Sequence, residues 1–201
     1  MTEHYFSAHP DSTTKLGLIK TNLCGRQFEF FTSSSVFSKK RIDTGTRLLV
    51  ESMILPDHGM VLDIGCGYGA AGIAAAKFNP ELRVVMTDVN MRAVRLAREN
   101  VERNRVANAE VRYGFLYEPV EGLTFDVILS NPPVSAGMDI VKSIVTKAPK
   151  VMAEKATLQM VIRSKIGSKS LPALFEATFV SCHILARESG YRVLIAKKSS
   201  I

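Results

Sequence analysis

The sequence predicts an α/β domain: a mainly parallel sheet with helices on both faces. Three observations carry that expectation. From residue 60 onward, short apolar runs alternate with helix-period segments, as in repeated βα units joined by crossovers. The first run ends in a glycine-rich turn, "DIGCGYGAAG", that opens a helix. The last two runs flank "ESG" and read as an antiparallel hairpin closing the sheet.

Each element follows from local pattern. "MVLDI" (60–64) is a short buried strand, and "AAGIAAAKF" (70–78) is an alanine-rich helix stopped by Asn79-Pro80. "RVVMTDV" (83–89) is the second strand. The helix over 91–104 gathers Val94, Ala97 and Val101 on one face. Strands follow at 109–115 and 125–130. A helix is expected after Gly137, over 138–148, resuming past Pro149. A fifth strand spans 157–163. The helix at 170–179 tolerates Pro172 in its first turn. "SCHILAR" and "YRVLIAKK" form the closing hairpin. Ahead of this core, "LGLIKTNL" and "QFEFFT" alternate around "CGR" as a small hairpin. Asp43-Thr44 reads as the N-cap region of a helix over "GTRLLVESMIL". The 201 residues are thus read as one domain: an extension (1–58) packed on a core (59–201).

Composition narrows the class. A hydrophobic fraction of 46% and a charged fraction of 22% are ordinary for a globular chain. No apolar run approaches the ~18 residues of a membrane span, and the N-terminus has no apolar leader. The cysteines (Cys24, Cys66 and Cys182) are dispersed, which indicates neither disulfides nor zinc and fits a cytoplasmic protein. The histidines have no metal spacing, so no metal is expected. The net charge of +7 favours a polyanionic partner only weakly. Arg92, Arg95 and Arg98 lie beside Glu99 and Glu102, a solvated face on which Glu99 and Arg103 are spaced to pair.

The glycine turn carries the first chemical signal. Gly65-x-Gly67-x-x-Ala70 satisfies the relaxed dinucleotide pattern and brings a ligand to a helix N-terminus. A tight βα turn alone would also explain it. Asp63 stands just ahead of Gly65, where a carboxylate repels pyrophosphate and attracts an amine-bearing ligand. Asp88 ends the second strand, where a carboxylate can accept ribose hydroxyls. Together they favour S-adenosylmethionine over a nicotinamide cofactor; an acid that merely caps the loop amides is the alternative for Asp63.

The second signal is "DVILSNPPVSAG" (126–137). Pro132-Pro133 cannot continue an interior strand, and a loop that only turned would more usually carry Gly, Asp or Ser. "VLDIGCGYG", "TDVN" and "NPP", in that order, resemble class I S-adenosylmethionine-dependent methyltransferases. That likeness implies a Rossmann-like seven-stranded sheet with an antiparallel last strand. It also implies methylation of a planar nitrogen. "SVFSKKRIDTGTRLLVE" (35–51) further resembles the segment ahead of the catalytic domain in the small-subunit ribosomal RNA guanine-N2 methyltransferases. These belong to the methyltransferase small domain family, which includes short single-domain archaeal members.

The resemblance implies residue roles. Asp63, Gly65, Cys66 and Gly67 would lie along the methionine end of the cofactor, and Asp88 and Val89 at the ribose. Phe115 and Leu116 would lie near adenine. Asn131, Pro132 and Pro133 would receive the target amine, with Asn131 also touching the cofactor. Phe37, Arg41, Asp43 and Thr46 would border the cofactor and substrate mouth. Val134 would stand beside the base. Apart from the resemblance, Lys39, Lys40 and Arg41 ahead of the capped helix, and Arg163 and Lys165 after the fifth strand, are placed to meet RNA phosphates. The sequence departs from the family at Phe115, where Asp is frequent, and at Val134, where an aromatic is frequent. Ser35 replaces a glycine, and the second domain of the bacterial enzymes is lacking, so a homodimer or partner is expected. The alternatives are a protein glutamine or DNA amino methyltransferase, a noncatalytic RNA-binding or assembly module, and a nicotinamide oxidoreductase.

Overall fold

A computed structural model describes residues 16–33, 41–133, 137–165 and 170–198. The described chain opens with strands β1 (Leu16–Leu23) and β2 (Arg26–Ser33), paired antiparallel. Cys24 and Gly25, both at positive φ (48° and 77°), form their turn, as a two-residue hairpin with right-handed strand twist requires. Helix α1 (Thr44–Ser52) is capped by Asp43, whose carboxylate accepts the Thr46 N–H at 3.0 Å. It ends short of the expected Leu55 because the chain turns extended at Met53.

The core then alternates: β3 (Gly59–Ile64), α2 (Ala70–Phe78), β4 (Leu82–Asp88), α3 (Met91–Arg103), β5 (Ala109–Tyr113) and β6 (Phe125–Ser130). Helix α4 (Met138–Lys147) passes into one 3-10 turn at Ala148–Val151. Pro149, which lacks an N–H, sits in that turn, so the helix does not resume beyond it as expected. Strand β7 (Met152–Arg163) starts ahead of the expected residue 157. Met152 already pairs with Phe125, and a register shift between Phe125 and Val127 absorbs the irregularity. Helix α5 (Ser170–Thr178) and strands β8 (Ser181–Glu188) and β9 (Tyr191–Lys197) complete the described chain.

The seven strands are ordered β5-β4-β3-β6-β7-β9-β8. Pairing is parallel from β5 to β7, while β9 runs antiparallel between β7 and β8. The loops that follow the parallel strands therefore share one edge with the start of β9. Period-2 alternation divides the core into two layers. Val61, Val84, Met86, Val127 and Leu129 pack against α1, α2, α3 and the N-terminal hairpin. Leu62, Ile64, Val85, Ile128, Leu158 and Met160 pack against α4 and α5.

Two amide side chains attach the extension. Asn100 on α3 is 0% exposed. Its oxygen accepts the Phe31 N–H (2.7 Å), and its nitrogen donates to the Phe31 and Tyr68 carbonyls (3.0 and 2.9 Å). Asn104, one turn on, does the same for Glu29. The two amides thus occupy part of β2's open edge and tie it to the glycine loop through Tyr68. Arg103 pairs with Glu29 at 2.7 Å, so it reaches across to β2 instead of along its own helix to Glu99. Gln159 of β7 plays a similar part for the end of α1, exchanging hydrogen bonds with both Ile54 backbone groups (2.9 and 2.7 Å).

Asn100→Ala leaves three backbone groups without their partner. We expect a loss on the order of 3 kcal/mol, read as a lower urea midpoint at constant m-value. A midpoint within the wild-type error would contradict this role for Asn100.

Candidate functional site

Strand β3 delivers the acid. Alternation turns Asp63 toward α2, where it is 2% exposed and its Oδ2 accepts the Gly72 N–H at 2.8 Å. A side chain at Gly72 would press to within 2.5 Å of Met86, so only glycine lets α2 come this close to the sheet. Burial raises the Asp63 carboxyl to about 7; the Gly72 N–H opposes the rise, and the Asp88 charge adds to it. Burial likewise drives the Cys66 thiol well above its ordinary value, helped by both carboxylates. The sulfur is therefore neutral near pH 7 and is no nucleophile.

Strand β4 delivers the second acid, also buried. Asp88 accepts the Gly67 N–H through Oδ2 and the Asn90 N–H through Oδ1, both at 2.8 Å. Gly65 and Cys66 donate their N–H groups to the Thr87 carbonyl (2.9 and 3.0 Å), which fixes the loop against β4.

Strand β6 delivers the amide. The Asn131 nitrogen donates to Asp43 Oδ2 (2.9 Å) and to Thr46 Oγ1 (2.8 Å), joining the end of β6 to the start of α1. The Ser130 hydroxyl donates to the Ile64 carbonyl at 3.3 Å, holding the ends of β3 and β6 together.

These ends surround a cavity of about 510 Å³, the size of a site for a drug-sized ligand. Asp63, Gly65, Cys66, Gly67, Asn131, Pro132, Pro133 and Arg163 all line it, as do Asp43 and Thr46. A smaller pocket shares Gly65 and Pro133 with it and is walled by Asp88, Val89, Phe115 and Leu116. Strand β5 ends at Tyr113, so Phe115 lies in the following loop and still reaches that wall. Arg41 is exposed ahead of α1 and is not part of the cavity lining. Phe37, Lys39, Lys40 and Val134 lie outside the described residues. Among those described, no cluster of metal-ligating side chains occurs, and no helix is long and apolar enough to cross a membrane.

Two aromatic lining residues, Tyr68 and Tyr191, had not been anticipated from sequence. Tyr68 packs on Phe30 with ring centroids 5.6 Å apart; burial and the Asp43 charge push its hydroxyl pKa up. Tyr191 begins β9, with the Arg163 guanidinium 5.4 Å from its ring centre. Its ring lies against Gly45, where an added Cβ would stand 3.0 Å away. The signal for Tyr191 is positional: an antiparallel strand starts at the edge where its parallel neighbours end.

Paired buried acids on a glycine loop, beside an Asn-Pro-Pro strand end in this sheet order, define an S-adenosylmethionine-dependent methyltransferase. The cavities fit that cofactor: a carboxyl faces the larger one, and a second acid and apolar side chains face the adjoining one. The chain belongs to the methyltransferase small domain family, whose model matches residues 27–195. It is 36% identical over 200 residues to YbxB of Bacillus subtilis, covering 98% of this chain and 100% of that protein. It is 32% identical over 166 residues to ribosomal RNA small subunit methyltransferase C of Haemophilus influenzae, covering 81% of this chain. The chain spans 49% of that relative's length. Its fold matches T. thermophilus 16S rRNA N2 methyltransferase RsmC, in complex with AdoMet and guanosine, at a TM-score of 0.82 and 25% identity. That match covers 95% of this chain and 52% of RsmC.

The Asp63 carboxyl binds its proton more tightly folded (about 7) than at its ordinary 3.8. Its ionisation therefore lowers the stability of the ligand-free protein progressively from about pH 4 to pH 7 and no further above. Asp63→Asn should gain stability relative to wild type from pH 5 to pH 7, then hold a constant lead, by thermal denaturation without cofactor. A difference independent of pH would contradict this.

Proposed function

We propose that this protein methylates the exocyclic N2 amine of guanine in small-subunit ribosomal RNA. The carrying observation is that Asn131-Pro132-Pro133 and the Asp63 glycine loop line one cavity. An amine held by the first is thereby placed next to a ligand held by the second. The names of the ribosomal RNA relatives, and the guanosine in the RsmC complex, support guanine and RNA as the substrate class.

S-adenosylmethionine, when bound, supplies the methyl group as an activated sulfonium. In this reading Asp63 and the Gly65–Gly67 loop hold its methionine end, Asp88 its ribose, and Phe115 with Leu116 its adenine. The protein's remaining task is placement. An aromatic amine shares its lone pair with the ring and is a poor nucleophile. Asn131 Oδ1 and the Pro132 carbonyl accept its two N–H groups and favour a pyramidal nitrogen with the lone pair freed. Proline holds that carbonyl where it is needed, with no reorganisation during the reaction. Neither the neutral Cys66 thiol nor a histidine is needed in the cavity. Tyr191 and the Arg163 guanidinium present flat surfaces on which a splayed base can stack, a part that Val134 cannot fill. Arg163 and the exposed Arg41 and Lys165 serve RNA phosphates.

The test is transfer of labelled methyl groups to RNA, DNA and protein fractions from cells lacking the enzyme. We expect label in small-subunit RNA as N2-methylguanine. Asn131→Ala should lose at least about 100-fold in turnover, with S-adenosylhomocysteine affinity within severalfold by calorimetry. Label in protein glutamine would overturn the substrate, and an equal loss of cofactor affinity would overturn the role of Asn131. Tyr191→Ala should raise the KM for RNA about tenfold, the worth of one stacked base, while Tyr191→Phe stays near wild type. Equal KM values for the two variants would remove Tyr191 from the base platform.

A further inference from the structure

The Asn131 side chain is held in a way that decides which of its two polar atoms is free. Its nitrogen spends both hydrogens on α1, at 2.9 Å to Asp43 Oδ2 and 2.8 Å to Thr46 Oγ1. A carboxylate only accepts, so the amide atom facing Asp43 must be nitrogen, and the amide cannot be turned over without setting oxygen against oxygen. Asp43 Oδ2 is itself fixed, because it accepts the Thr46 N–H at 3.0 Å as the cap of α1. Among the described residues no donor reaches Asn131 Oδ1, in a residue that lines the cavity.

We propose that Asp43 and Thr46 are positioning residues for methyl transfer, locking the Asn131 amide so that its oxygen is presented to the target amine. The inference rests on the amine-accepting role given to Asn131 above. Without the lock, rotation about the last side-chain bond would offer the incoming amine a second NH2 group, donor against donor. The lock also acts on strength. Two hydrogen bonds donated by the amide nitrogen, one to a charged group, polarise the amide and make its oxygen a better acceptor. The extension ahead of the core thus sets the orientation of a residue at the far end of β6.

Thr46→Val removes one acceptor while keeping the branched shape and the Asp43 cap. Turnover with total RNA from cells lacking the enzyme should fall about tenfold, with S-adenosylhomocysteine affinity and melting temperature unchanged; Thr46→Ser should restore it. Asp43→Asn keeps an oxygen for the cap and for Asn131, so it should retain most turnover where Asp43→Ala does not. Independently of activity, the Asn131 side-chain NH2 protons in the ligand-free 15N-labelled protein should be shifted downfield and slow to exchange. Thr46→Val should move one of them upfield and speed its exchange; Thr46→Ser should not. Wild-type turnover in Thr46→Val, or unchanged NH2 resonances, would overturn the inference. Undiminished turnover in Asn131→Ala would instead remove the functional reading beneath it.

Discussion

The site depends on the parallel pairing of β3 with β4 and β6. Asp63 stands in register with Met86 on one side and Leu129 on the other. All three strands therefore run out within about two residues of one another, and their polar termini meet at one edge. Pleating then sorts the side chains. Asp63 faces the α2 layer with Val61, and Asn131 meets α1, which belongs to that same layer. A slip of one residue would send Asp63 to the opposite face and empty the cavity wall. The buried Val, Ile and Leu residues of β3 and β6, packed on both faces, hold that register far more firmly than any contact within the site.

The same edge explains why part of the site was legible in the sequence. Asp63, Gly65, Gly67, Asp88 and Asn131 each sit directly at the end of an apolar run, so local pattern places them without knowledge of strand order. Tyr191 does not share this property. Its relevance arises because β9 inserts antiparallel beside β7 and brings its first residue opposite Arg163. No local signal states that. Thr46 reached the mouth only through the resemblance; its hydrogen bond to Asn131 joins residues 85 positions apart. Asn100 and Asn104 carry no local signal, because only folding sets them against the open edge of β2. The early start of β7 was hidden by its bulge, which breaks the alternation that announces a strand.

The extension is integral to the site. Its hairpin packs Phe28 and Phe30 into the same layer as α2 and α3, with Phe28 edge-on to Phe78 at 6.0 Å. Its helix is held at one end by Gln159 and at the other by the Asp43–Asn131 contact. Residues 16–33 and 41–52 therefore brace the cavity from two sides: through Tyr68 behind the glycine loop, and through α1 beside the strand end. The family model begins at residue 27 and so takes in most of β2 and all of α1, but not β1.

Two buried acids meet at one edge, and the Asp88 charge adds to the rise that burial imposes on the Asp63 carboxyl. Protein groups have already been recruited: the backbone N–H groups of Gly67, Gly72 and Asn90 each approach a carboxylate oxygen at 2.8 Å. Amide dipoles offset only part of the cost of burying two carboxylates. On the reading proposed above, the remainder is met by the ligand, since a cationic amino group beside Asp63 favours its ionised form. Cofactor affinity and the proton on Asp63 are then two views of one equilibrium. An acid that only capped the loop would be more stable in a solvated or already paired setting. On that same reading, its placement against a 510 Å³ cavity suits a carboxylate that binds a ligand better than one that only caps a loop.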